Sequence, residues 1–197
     1  LITKVAGHCH AIIYAGHPGP HGGGALYELL MGQFNPSGRL PFTYPRDPNS
    51  LLPYDHKHSD TIGPDKDTPG FNPLYEFGHG LSYTTFKYDK LKVPTEPLNQ
   101  TDNLNISVDV TNTGPRKGTE TVHVFIRDLY ATVAPPIKRL RAFSQVELPP
   151  GETKTITFSI PVTDLSYFGT KNHLILDPGE FEVMISDQKA RIAVQQE

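Results

Sequence analysis

The chain has 197 residues, 37% of them apolar and 20% charged, with a formal net charge of −3, which fits an ordinary globular protein of one or two domains. No basic stripe is present, so nucleic acid is not expected as a partner, and no apolar run approaches the roughly 18 residues of a membrane span. The single cysteine, Cys9, excludes an internal disulfide, and 17 Gly with 19 Pro forecast many turns and few long helices.

Residues 1–16 do not read as a signal peptide, because the start is uncharged and His8 and His10 interrupt the apolar run. Ala11–Ala15 (AIIYA) is apolar on both faces, the pattern of a buried parallel strand. A loop, Gly16–Gly24, leads into the helix formers Ala25–Met31, with Gly32 as an expected left-handed stop. Asn35-Pro36-Ser37-Gly38 is turn chemistry, and Arg39–Pro45 is an extended piece confined by its prolines to an edge or bulge. Residues 46–80 are expected to form a long irregular loop containing Pro48, Pro53, Pro64, Pro69 and Pro73, and a loop of that length is usually functional or packed on a neighbour.

From Leu104 the apolar period becomes two. Leu104, Ile106, Val108 and Val110 form one run, Val122, Val124 and Ile126 a second, Ile156, Phe158 and Ile160 a third, and Phe181, Val183 and Ile185 a fourth. Turn signals at Asn112-Thr113-Gly114, Pro149-Pro150-Gly151 and Asp177-Pro178-Gly179 separate them, and short strands at such spacing predict an antiparallel β-sandwich.

Three ordered motifs resemble a known family. AIIYAGHPGPHGGGALYELLMGQFNPSGRLPFTYP resembles the end of the α/β sandwich domain of glycoside hydrolase family 3. YEFGHGLSYTTF, residues 75–86, is its second hallmark. VDVTNTGPRKGTETVHVFIRD, LRAFSQVELPPGETKTITFSI and DPGEFEVMISD resemble its fibronectin type III-like C-terminal domain. The likeness is collinear over essentially the whole chain. It implies an α/β fragment over residues 1–90, a linker over 91–100, and an all-β fibronectin type III-like sandwich over 101–197.

The resemblance further implies a retaining, cofactor-free, exo-acting β-glucosidase that removes terminal non-reducing β-D-glucosyl residues from oligosaccharides or glucans. Retention requires two carboxyl groups about 5–5.5 Å apart. In the family the nucleophilic Asp lies on a (β/α)8 barrel and the acid/base Glu earlier in the sandwich domain, so no catalytic residue is assigned to this chain. Its implied partner is the N-terminal remainder of the enzyme, as a separate chain, and its implied location is secreted, periplasmic or otherwise extracytoplasmic. A β-xylosidase of the same family is the alternative. A carbohydrate- or protein-binding module is a further one, disfavoured by the absence of Trp.

Tyr54, Asp55 and His56 open a polar stretch on the long loop and are candidate substrate contacts, although a solvated loop explains them as well. His8, Cys9, His10, His17 and His21 match no closed zinc spacing, and no metal is expected. The glycine loop lacks the Lys-Ser/Thr of a phosphate cradle. Phe71, Tyr75, Phe77, Tyr83 and Phe86 read as interdomain core before a sugar-stacking platform. Asn99-Gln100-Thr101 and Asn105-Ile106-Ser107 are glycosylation sequons, of which Asn99, in the expected linker, is the better candidate and Asn105, on the polar face of a strand, the lesser one.

Overall fold

A computed structural model of the chain describes residues 1–50, 53–61 and 70–195. Leu52, Pro64 and Pro69 of the long loop lie outside the described residues.

The C-terminal half is a two-layer β-sandwich. One sheet has the order β1 (Phe86–Lys92), β2 (Asn103–Asn112), β5 (Thr153–Pro161). The other runs β4 (Arg139–Leu148), β3 (Gly118–Asp128), β8 (Gly179–Ile185), β9 (Gln188–Val194), and all its named pairings are antiparallel. A small hairpin, β6 (Tyr167–Phe168) with β7 (Leu174–Ile175), sits at one end.

The period-two runs account for the inner faces. Leu104, Val108, Val110, Val122, Val124 and Val183 are completely buried, and Phe181 nearly so. Each such side chain contributes on the order of 1.5–3 kcal/mol relative to exposure. Among the described residues, every buried apolar side chain lies at or beyond Tyr88.

Periodicity does not show β1, β4 and β9, nor the two-residue strands β6 and β7. β1 (FKYDKLK) carries charge at Lys87, Asp89, Lys90 and Lys92, as suits a sheet edge, where charged side chains discourage further pairing. It pairs with β2 from Phe86 onward, so this sheet starts before the 91–100 stretch read as a linker. Leu98 is itself tied to the sandwich, donating its N–H to Ala193 O and accepting from Gln195 N, both at 2.9 Å.

The N-terminal region is different. It contains a single helical turn, α1 (Thr3–Ala6), and a helix, α2 (Gly22–Leu30), which stops as expected where Gly32 takes φ +70°. Ala11–Ala15 forms no strand. Ile12 and Ile13 are 41% and 42% exposed and Tyr14 is 61% exposed. A strand apolar on both faces needs neighbouring strands and covering helices to satisfy its backbone and bury its side chains, and these are not provided here.

Candidate functional site

The segment from Asn35 to Tyr83 is fastened to the sandwich by polar groups at its ends and rings between them. Asn35, from the Asn-Pro-Ser-Gly turn, donates to Lys117 O at 3.0 Å and accepts from Ser82 Oγ at 2.9 Å and Tyr83 N at 2.8 Å. Tyr83 donates its hydroxyl to Leu29 O at 2.8 Å, and the Arg116 guanidinium lies 5.8 Å over the Tyr83 ring centroid. This one side chain therefore joins α2 to the β2–β3 turn.

Next to it is a buried ion pair. Arg39 Nη2 meets Glu120 Oε2 at 2.5 Å, and Tyr88 donates to Glu120 Oε1 at 3.0 Å. Burial pushes the Glu120 carboxyl above the usual carboxylate range, against the opposing pull of Arg39 and Tyr88. Tyr88 is raised by burial and by the neighbouring Glu120. Behind them, fully buried Asn112 accepts from Thr84 Oγ1 (2.6 Å) and Gly114 N (3.1 Å) and donates to Arg116 O (2.7 Å) and Leu148 O (2.8 Å). Gly114 is required there, since a Cβ would lie 2.3 Å from Thr84 Oγ1 and 2.7 Å from the Thr85 backbone N.

Glu120 carries no motif in the sequence, and Asn112 reads there only as the opening of a turn. The signal was available: Glu120 is in phase with Val122, Val124 and Ile126, and Asn112 continues the inward set of β2. A polar residue at an inward strand position needs an internal partner.

The loop bearing Tyr54, Asp55 and His56 lies on the outer face of the four-stranded sheet. Tyr54 stacks on Phe77 with centroids 4.3 Å apart and meets Phe125 edge-on at 5.9 Å, while its hydroxyl accepts from Leu140 N at 3.3 Å. His56 is buried, stacked 3.8 Å from Phe71; its Nδ1 donates to Pro53 O at 2.9 Å and its carbonyl accepts from Ile137 N. Asp55 is the more open of the three, with its carboxylate 3.8 Å from Arg139 Nε and one-third exposed. His123, flanked by Phe77 and Phe125, is held below the usual imidazole range, first by burial and then by Arg39. Of the aromatics read as interdomain core, Phe77 packs on the β3 rings, Phe71 on His56, and Phe86 against the sandwich core.

This arrangement packs residues 53–56 against a sheet. Glu76 pairs with Lys138 at 3.4 Å and Asp55 with Arg139, so each carboxylate has its own cation and the two do not form a dyad. Among the described residues no group of three or more His, Cys, Asp and Glu could hold a metal ion. Among the described residues, no helix is long and apolar enough to cross a membrane.

Comparison with known proteins assigns both halves. The glycosyl hydrolase family 3 C-terminal domain matches residues 1–83, and the fibronectin type III-like domain matches residues 120–189. A lysosomal beta glucosidase of Dictyostelium discoideum is 36% identical over 198 residues, covering 95% of this chain and 23% of that protein. A beta-xylosidase of Formosa agariphila is 34% identical over 187 residues, covering 93% and 26%. The solved structure of a β-glucosidase from Erythrobacter marinus superposes with a TM-score of 0.90 at 36% identity, covering 97% of this chain and 26% of the other. The chain thus spans about a quarter of the length of the proteins it matches.

Proposed function

The chain belongs to glycoside hydrolase family 3, and we propose that it is the C-terminal part of a retaining, exo-acting β-glucosidase that completes and stabilises the catalytic assembly. One observation carries this reading. Leu1, Val5, Ile12, Ile13, Tyr14, Tyr27, Leu30, Met31 and Phe34 are all exposed by 41% or more, and Gly22 is the one buried residue between positions 1 and 50. So large an apolar surface marks a face that another protein surface covers. The covering surface is the N-terminal remainder of the enzyme, which supplies both catalytic carboxylates.

Within the assembly, Tyr54, Asp55 and His56 border the sugar site. Asp55 presents its carboxylate, while Tyr54 and His56 fix the loop through Phe77 and Phe71. Export from the cytoplasm fits the lysosomal designation of the Dictyostelium relative. If the source glycosylates exported proteins, Asn105, exposed on β2, is the freer sequon; the Asn99 side chain is bonded to Asp102 and Gln195.

The Formosa relative keeps β-xylosidase as a second reading, at nearly the same identity as the glucosidases. Intact mass of natively purified material, with assays on aryl β-glucoside and aryl β-xyloside, tests both. A larger species that co-purifies with glucosidase activity is expected. Xyloside turnover alone would favour the second reading, and a single inactive species of this chain's mass would leave a binding module.

A further inference from the structure

A cavity of about 230 Å³ opens at the end of the sandwich beside the β6–β7 hairpin. Its floor is the core itself, Ile126, Leu165 and Phe181, and its polar wall is Asp55, Lys57, Asp128, Arg139 and Arg141. Phe168, 65% exposed, stands at its edge. The walls are fixed in place: Lys57 forms a β-bridge with Pro136, and Thr132 N donates to Asp177 Oδ2 at 2.8 Å.

Arg141 is the informative residue. The β3–β4 register slips between the pairs Val124–Ala142 and Phe125–Leu140, which leaves Arg141 as the extra residue of a bulge. Bulges re-aim side chains and recur beside functional sites. Arg141 lines the cavity, yet among the described residues it makes no ion pair within 4.0 Å. Its Nε has no hydrogen-bond partner, and its Nη2 reaches Leu165 O only at 3.5 Å, the outer limit of a hydrogen bond. Burial and the like charge of Arg139 both press its pKa downward, with Asp164 a weaker counterweight. A half-buried guanidinium in this condition is stabilised by an anion that accepts its hydrogen bonds.

The remaining wall narrows the anion. Three cations face two carboxylates, so the lining is net positive. Arg139 is only loosely engaged by Asp55, at 3.8 Å. Asp128, which lines the cavity, accepts from Tyr130 N through Oδ1 at 3.0 Å, and its buried Oδ2 has no partner. Phe168 offers a flat apolar face to ring C–H groups. The volume is below the roughly 300–1,000 Å³ of sites for drug-sized ligands, and so suits one sugar ring.

We propose that this cavity is a binding site for a single pyranose bearing a carboxylate, its acid group held by Arg139 and Arg141, its hydroxyls by Asp128, and its ring against Phe168. The proposal does not rest on glycosidase activity; turnover of aryl glycosides by the unmodified enzyme judges that reading separately.

The test is calorimetric titration of the intact enzyme with D-glucuronate, D-glucose and acetate at low salt. D-glucuronate is expected to bind at least about tenfold more tightly than D-glucose, the difference of one or more charge-assisted bonds. Arg141→Lys, which keeps the charge but loses the fork, is expected to weaken glucuronate about tenfold or more. Phe168→Ala removes an exposed side chain, leaves folding intact, and is expected to weaken it severalfold. Absence of glucuronate binding, equal affinity for glucose, or indifference to both substitutions would overturn the proposal. Acetate binding as tightly as glucuronate would overturn the sugar assignment, and would point to a carboxylate side chain from elsewhere in the enzyme as the occupant.

Discussion

The two halves of this chain solve the burial problem differently. The sandwich is internally complete: β2, β3 and β8 turn their apolar residues toward one another, and even its buried Asn112 has all its hydrogen bonds satisfied from within the chain. The first 34 residues are richer in apolar side chains, 17 of 34 against 37 of 97 from position 101 on, and leave them in the open, with Tyr14, Leu30 and Met31 each 61–66% exposed. The more apolar stretch is thus the one without a core, so composition does not decide which region holds one. What decides is whether the partner face is present on the same chain.

The comparison can be broken most strongly from the sandwich side. Phe181→Ala removes a fully buried ring and is expected to destabilise the chain by about 3–5 kcal/mol in chemical denaturation, because the surrounding sheet cannot collapse into the space. A smaller cost is expected from Arg39→Ala, roughly 3 kcal/mol, since it strands the buried Glu120 carboxylate. Here the pH dependence sharpens the result. The Glu120 pKa is raised in the folded state, so its contribution is complete below the usual carboxylate range and is lost as pH rises through the folded value. Glu120→Gln should therefore flatten the stability profile in that window.

His123 provides a weaker probe of the junction. Its folded pKa is depressed, so the unfolded chain binds the proton more readily, and stability should decline as pH falls below about 6.5. His123→Phe is expected to remove that slope. The smallest effect belongs to the N-terminal half. Ile13→Ser is expected to change the stability of this chain by less than about 0.5 kcal/mol, as for an ordinary surface position. The same substitution should weaken co-purification with the rest of the enzyme.

The sequence made this division partly legible. Strands β2, β3, β5 and β8 follow from alternation, because one face of each is turned to the core and the other is less deeply buried. β4 and β9 were obscured by Arg, Gln and Lys set among their apolar residues, a pattern permitted by their partly exposed faces. Ala11–Ala15 reads as a strand for sound reasons but forms none, since pairing is a property of neighbours and not of the segment. The Arg39–Glu120 pair joins residues 81 positions apart, and only the inward phase of a charged Glu120 within β3 hints at it. Arg141 gave no signal at all, because a bulge is set by the register between two strands.

Hydrogen exchange of residues 1–34 is the most direct measurement, made on this chain alone and on the intact enzyme. If the apolar surface is a docking face, the amides of Ala11–Ala15 exchange rapidly in the isolated chain and are protected in the intact enzyme, while β2 and β3 are protected in both. Equal protection of Ala11–Ala15 in the two samples, fast or slow, would contradict it.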